Sequence, residues 1–562
     1  MTDKSETVNY FLDKGFLVSP TFFKNLDSDF DNSNFFNALN KKTLSKPLIL
    51  NEDLLDYIKL NKLLDFNWVD FDRARVMYEK NIGSFLYSKF RDLISVNFLS
   101  ENKNSQGTVA IQEVIQEKKQ IIQESKEQDG KVNILFSYEE KNKKREVQDF
   151  VKHFKARYES IKKILYSRQE LKESVSIARL ARKSEGESTC IIGVVLEKEI
   201  TKNNNYIFTL EDPTGSFKVL ITKSREELYN VARDLVHDEV IGVTGVIGNN
   251  ILFCNNIYLP EIPINNELKK SPDEVYAVFI SDVHFGIKNF LAGDFMKFIM
   301  WLKGEYGTEQ QKDVASKVKY LFVTGDVVEG VGIYPGQEED LAIKDIYAQY
   351  DEATRYFKMI PERIKIIICA GNHDAIRIAE PQPIFDKDLS KGFFTIPNMI
   401  QVSNPAMVNI HSSDGFPGFN VLMYHGFSFF YYGDQVPSIR EKGGIARCDL
   451  IMKYLLQKRH LAPSHGSNLY VPDEQEDPLV IEKVPDIFVS GHVHQITVGS
   501  YRNVSLINSS CWVVQSEDNA KRGMVPHPSK IPIINLKTRE VRIMNFLDDE
   551  TKVLFNERQG LI

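Results

Sequence analysis

Cysteine is scarce in this chain. Five residues in 562 (Cys190, Cys254, Cys369, Cys448, Cys511) are scattered along it, odd in number, with no C-x-x-C pair. That excludes a thiolate zinc site built within the chain and fits a reducing compartment. Long apolar runs are missing too. None approaches the ~18 residues needed to span a bilayer. The opening "MTDKSETVNYFLDKGF" is broken by charges and does not read as a signal peptide. The expectation is a soluble, cytoplasmic protein with no membrane contact. An excess of positive charge is also lacking: 70 Lys and Arg stand against 77 Asp and Glu, for a net charge of −7. Bulk basicity therefore cannot hold nucleic acid, although a local basic groove or a basic partner could.

What is present is an ordinary globular composition, 42% apolar and 26% charged, in a chain long enough for three or four domains. Residues 1–100 alternate aromatic-rich helical patterns with polar turns, as in "NEDLLDYIKLNKLLDFNWVDFDRARVMYEK", and predict a small helical domain. Residues 101–146 turn to Gln, Glu, Lys and Asn. So little apolar surface cannot offset the entropy of ordering, which predicts a flexible polar linker. In 147–185, Val147, Phe150, Val151, Phe154, Tyr158, Ile161 and Leu165 recur at helical spacing. They predict an amphipathic helix with one apolar stripe and a basic face opposite. That face is either solvated or set against nucleic-acid phosphates. Residues 186–262 hold about five short β-branched and aromatic runs punctuated by Asp-Pro-Thr-Gly and Gly-Asn-Asn turns. They predict a small β-barrel of the OB-fold type, used for single-stranded nucleic acid or for protein contacts alone. Pro260, Pro263 and Pro272 then mark a link into the last domain, 275–545.

In that last stretch, apolar strands repeatedly stop at polar clusters. "VYAVFI" runs into Ser-Asp282-Val-His284, "KYLFVT" into Gly325-Asp326, and "IKIIICA" into Gly371-Asn372-His373-Asp374. "FNVLMY" runs into His425-Gly426, and "DIFVS" into Gly491-His492-Val-His494. Strands separated by helical segments predict a layered α/β sheet, whose active groups collect beyond the strand ends. Alone, a D-x-H or a G-D is most simply a surface turn. Five such ends in one domain, holding five of the chain's eleven histidines, point instead to one shared site. Imidazole, carboxylate and amide oxygen suit divalent manganese, iron, nickel or zinc. Two such ions ~3.5–4 Å apart on a shared carboxylate can clamp a phosphate, lower the pKa of a bridging water and stabilise in-line attack.

This order of clusters resembles the calcineurin-like metallophosphoesterase superfamily over roughly residues 275–545. The resemblance implies one metal held by Asp282, His284, Asp326 and His494. It implies a second held by Asp326, Asn372, His425 and His492, with Asp326 bridging, and His373 as the group that protonates the leaving oxygen. One departure stands out: the family pattern G-D-x-x-D continues here as Gly325-Asp326-Val-Val-Glu329. The stretches "TGDVVEGVGIYPGQEEDL", "IMKYLLQKRHLAPSHGSNLYVPDEQEDPLVIEKVPDIFVSGHVH" and "LINSSCW" further resemble the small subunits of archaeal family-D DNA polymerases. That resemblance implies a multidomain α/β protein with a two-metal 3′–5′ exodeoxyribonuclease site, manganese being the first expectation. Its implied partners are a separate large polymerising subunit and single-stranded or mismatched 3′ ends of DNA. A repair nuclease of the double-strand-break type and a non-catalytic scaffold subunit are the alternatives.

Overall fold

The computed structural model describes residues 4–19, 22, 31–42, 49–50, 131–139, 143–180, 182–514 and 525–547. The chain divides into two units, Met1–Glu127 and Gln128–Ile562. In the first, helices Lys4–Asp13 and Asn32–Lys42 accompany a short parallel pair, β1 (Leu17–Val18) and β2 (Ile49–Leu50). Phe11 packs edge-on against Phe22 and Phe35, with ring centroids 5.9 Å apart in each case. The helical reading of 51–100 lies outside the described residues.

The second unit opens with β3 (Val132–Ser137), and here the linker expectation fails. The segment "VNILFS" pairs antiparallel with a later strand and forms one edge of a six-stranded sheet. Its apolar character was diluted in the sequence by polar neighbours. Its ordering comes from backbone pairing across more than 260 residues, which composition cannot register. The rest of that linker, 101–130 and 140–142, lies outside the described residues.

Helix Val147–Leu165 follows, with Tyr158, Ile161 and Leu165 buried as the stripe predicts. Its first half departs from the pattern. Val147 is 80% exposed, while Asp149, His153 and Arg157 are buried instead. Arg157 therefore does not belong to a solvated basic face. Its guanidinium donates to Asp477 Oδ2 at 2.5 Å and to the Pro463 carbonyl at 2.9 Å, and His460 Nε2 shares the same carboxylate at 2.9 Å. Burial alone would raise the Asp477 carboxyl, but Arg157 and His460 outweigh it and hold it well below the usual range. This buried charge pair ties the helix to the phosphoesterase domain. Arg157→Met should cost about 3–5 kcal/mol by leaving Asp477 buried without its cation, read as a lowered midpoint in denaturant unfolding. A midpoint unchanged from wild type would show that the pair does not hold the helix.

Five strands then close a barrel in the order β4 (Ser188–Ile200), β5 (Tyr206–Asp212), β6 (Gly215–Ile221), β8 (Ile251–Tyr258), β7 (Val240–Gly248). Ile191, Phe208, Leu210, Val219, Val243 and Leu252 fill its interior. The single parallel contact, β6 with β8, and the helix Glu226–Arg233 before β7 give it OB-like form.

The last domain is two six-stranded sheets face to face. The first runs β12 (Met399–Gln401), β11 (Lys365–Cys369), β10 (Val318–Thr324), β9 (Tyr276–Ile280), β18 (Lys530–Asn535), β19 (Val541–Asn545). The second runs β16 (Thr497–Tyr501), β17 (Val504–Asn508), β15 (Ile487–Ser490), β14 (Phe419–Met423), β13 (Ala406–Ile410), β3. Alternation along each strand splits the apolar residues between two cores. Phe279, Phe322, Ile367, Val421 and Val489 meet between the sheets. Val278, Leu321 and Ile368 instead turn outward onto helices Ala292–Leu302 and Ile346–Phe357. Because β9, β10 and β11 are parallel, as are β14 and β15, their carboxyl ends gather on one side of each sheet.

Candidate metal centre

Each cluster begins where its strand stops. Asp282 follows β9, Asp326 follows β10, Asn372 and His373 follow β11, His425 follows β14, and His492 and His494 follow β15. The turns are abrupt. Asp282, His284, Asp326, His492 and His494 all hold left-handed backbone, at φ 51°, 55°, 50°, 69° and 58°. For residues with a Cβ this costs roughly 1–2 kcal/mol each, and such strain persists where a site requires it. The neighbouring glycines leave room: a Cβ on Gly371 would overlap the Asp326 carboxylate, and one on Gly325 would overlap the His425 ring.

The structure brings all eight sequence-expected residues together. Asp282, His284 and His494 form one group whose donor atoms lie within 4.8 Å of one another, as do Asp326, His425 and His492. A third such group, His284, Asp326 and His373, links the two. Asn372 joins through its Oδ1, 3.0 Å from His425 Nε2. The Asp326 carboxylate lies between these groups, 3.2 Å from His425 Nε2 and 4.0 Å from His284 Nε2.

The hydrogen bonds of the imidazoles test whether cations fit here. His425 Nδ1 donates to the Thr324 carbonyl at 2.9 Å, so in the neutral ring its Nε2 carries a lone pair. With no cation beside it, burial works against protonation, but Asp326 outweighs it and raises the pKa to about 10, which keeps a proton there. That nitrogen faces two oxygens, Asn372 Oδ1 at 3.0 Å and Asp326 Oδ2 at 3.2 Å. His284 Nδ1 likewise donates to Glu329 Oε2 at 2.8 Å, and its Nε2 stands 3.1 Å from His494 Nε2. Imidazole nitrogens and carboxylate oxygens this close need a positive centre among them, a proton or a metal ion, and nitrogen with carboxylate oxygen is the donor set of borderline divalent metals. The residues present fit two such ions.

Glu329 gives the departure from G-D-x-x-D a physical role. Its carboxylate holds His284 Nδ1, lies 3.5 Å from His373 Nδ1, and accepts from Gln337 Nε2 at 3.0 Å. Burial would raise this carboxyl, yet His284 and His373 bring it far below the usual range. The sequence marked this position as a departure from the family pattern. Gln337, in "GVGIYPGQ", gave no such signal. Asp374, the last residue of G-N-H-D, was not read as functional either. Its buried carboxylate accepts from the backbone N–H of Val327 (3.1 Å), Val328 (3.1 Å) and Gly371 (2.8 Å), fastening the Asp326 loop to the Asn372 loop.

His373 differs from its neighbours. Its side chain keeps 19% exposure, against 13% for His494, 3% for His284 and 1% for His425. Its Nδ1 is engaged by the Glu329 carbonyl at 3.0 Å, leaving Nε2 as its other proton carrier. Burial works against protonation, but Asp326 and then Glu329 raise its pKa to about 9. Bound cations would draw that value back toward neutrality.

Among the described residues, no helix is long and apolar enough to cross a membrane. A calcineurin-like phosphoesterase family model matches residues 276–496. Three relatives are each called a DNA polymerase II small subunit. The protein of Methanothermobacter thermautotrophicus is 40% identical over 69% of this chain and 78% of its own. That of Archaeoglobus fulgidus is 41% identical over 69% and 75%. That of Pyrococcus furiosus is 38% identical over 71% and 64%. Identity at this level over 69% of the chain leaves one assignment: the chain belongs to the DNA polymerase II small-subunit family, the family-D small subunits of archaea, and carries a calcineurin-like phosphoesterase domain.

Proposed function

We propose that this chain is a metal-dependent 3′–5′ exodeoxyribonuclease that proofreads for a separate large polymerising subunit. The observation that carries this reading is the convergence of five strand ends, from two sheets, on three overlapping nitrogen–oxygen donor groups, two of which contain Asp326. Asp282, His284, Asp326 and His494 would hold one divalent ion, and Asp326, Asn372, His425 and His492 would hold the other. Manganese is the first expectation for both. Bound there, the ions supply a clamp on the phosphodiester and an activated water.

The protein's own groups do the rest. Glu329 fixes the His284 tautomer, so that Nε2 faces the ion, and the Thr324 carbonyl does the same for His425. Asp374 keeps the two halves of the site in register. His373 donates a proton to the departing 3′ oxygen as water attacks phosphorus and the P–O3′ bond breaks. The products are a nucleoside 5′-monophosphate and a strand one residue shorter.

The acidic chain, with net charge −7, should hold DNA weakly and in a salt-sensitive way, so the large subunit would supply affinity as well as polymerisation. The test uses the isolated chain with single strands labelled at the 3′ or the 5′ end and added Mn²⁺. Immediate release of 3′-labelled mononucleotide, with a ladder of shortening 5′-labelled products, is expected. No shortening with any of Mn²⁺, Fe²⁺, Ni²⁺ or Zn²⁺ would reject the nuclease reading.

A further inference from the structure

Directly after His425 the chain reads "GFSFFYYGDQ", with five aromatics in the six residues from Phe427 to Tyr432. Phe429 and Tyr432, three apart on helix Phe429–Gln435, turn into the core and are fully buried. Phe430 turns the other way. Its side chain remains 39% exposed, and its ring stands 5.3 Å from His492, nearly perpendicular at 87°. Phe427, half-buried, places its ring 5.6 Å from the same imidazole. At the donor group that contains His373, Tyr334 brings its ring within 6.4 Å of that histidine, and Val331 in the same loop is 49% exposed. Aromatic surface thus meets the metal centre at His492 and again at His373. A single exposed aromatic would be unremarkable; here two converge on one metal-ligating histidine.

We propose that Phe427 and Phe430 form a stacking platform for the unpaired bases at a DNA 3′ end, with Tyr334 lining the approach at His373, so that the site selects frayed single-stranded termini without reading their sequence. This rests on the phosphodiesterase reading above and names the feature of the substrate that the site recognises. Every base offers a π face, so stacking on phenylalanine tolerates any sequence. A paired terminal base is already stacked in its duplex and must be extracted, whereas a mismatched one is released at lower cost. The helix carrying Phe430 begins four residues after His425, and its Phe429 and Tyr432 are anchored in the core, so the platform and the metal site keep a fixed spacing.

The test measures binding and hydrolysis separately on the full chain. Binding is followed by fluorescence anisotropy of 5′-fluorescein decathymidylate, whose 3′ nucleotide either bears its base or is an abasic tetrahydrofuran analogue, with Ca²⁺ in place of the catalytic ion. Wild-type protein should bind the base-bearing end about tenfold more tightly. Phe430→Ala should bring that ratio to about one, Phe427→Ala should lower it, and Phe430→Trp should preserve it. Equal affinity for the two ends in wild type, or a ratio that Phe430→Ala leaves intact, would overturn the platform. Hydrolysis is then followed with Mn²⁺. If neither oligonucleotide is shortened while the binding ratio stands, the nuclease reading fails and the platform survives. If both are shortened without any base preference in binding, the reverse holds.

Discussion

Asp326→Ala is expected to abolish hydrolysis and to leave fewer than two divalent ions per chain. Among the described residues, only Asp326 has a carboxylate within 4.0 Å of both His284 and His425. Its Oδ1 also accepts the backbone N–H of His373 at 2.8 Å, so the same side chain orients the strand end that bears Asn372. Removing a terminal ligand such as His494 would weaken one ion; removing Asp326 should loosen both. Alanine is strained at a φ of 50°, whereas asparagine tolerates left-handed backbone. Asp326→Asn therefore separates loss of charge from loss of fold. Elemental analysis of both variants, beside their circular dichroism melts, is the measurement. Two full equivalents of metal in a folded Asp326→Ala protein would contradict the bridging role.

His373→Ala should behave in the opposite way, keeping its metals and losing ~10²–10⁴-fold in turnover, the usual worth of a positioned general acid. The expectation rests on the engagement of its Nδ1 by the Glu329 carbonyl at 3.0 Å together with its partial exposure of 19%, beside 13% for His494 and 3% and 1% for His284 and His425. Its contacts with Glu329 and Asp326 favour the protonated ring. A group that must carry a proton to act loses activity as pH rises through its pKa. The wild-type rate should thus fall on the alkaline side, and the His373→Ala profile should lose that limb. Loss of metal in the variant would place His373 in the coordination shell instead.

Much of this site was legible because ligand-type residues stand directly after apolar strands, and parallel strands must deliver their ends to one side. Asp282, Asp326, Asn372, His425 and His492 follow that rule without any contact information. What escaped was set by neighbours distant in the chain. The segment Val132–Ser137 is a strand only because Ala406–Ile410 lies beside it. Arg157 read as one more cation on a basic face, and only Asp477, 320 residues later, draws it inside. The apolar stripe likewise foresaw Tyr158, Ile161 and Leu165 but not the exposure of Val147. Glu329 could be seen to differ from the family pattern, but its grip on His284 required geometry. Phe427 and Phe430 stood in an aromatic run that reads equally well as core, and two of its five rings, Phe429 and Tyr432, are core.

The central claim is that two ions sit at these strand ends with Asp326 between them. Anomalous diffraction from crystals of the full chain grown with Mn²⁺ addresses it directly. The expected result is two peaks ~3.5–4 Å apart, one among Asp282, His284 and His494, the other among Asn372, His425 and His492, each in contact with the Asp326 carboxylate. A single peak, or two peaks of which either lies beyond reach of Asp326, would contradict it.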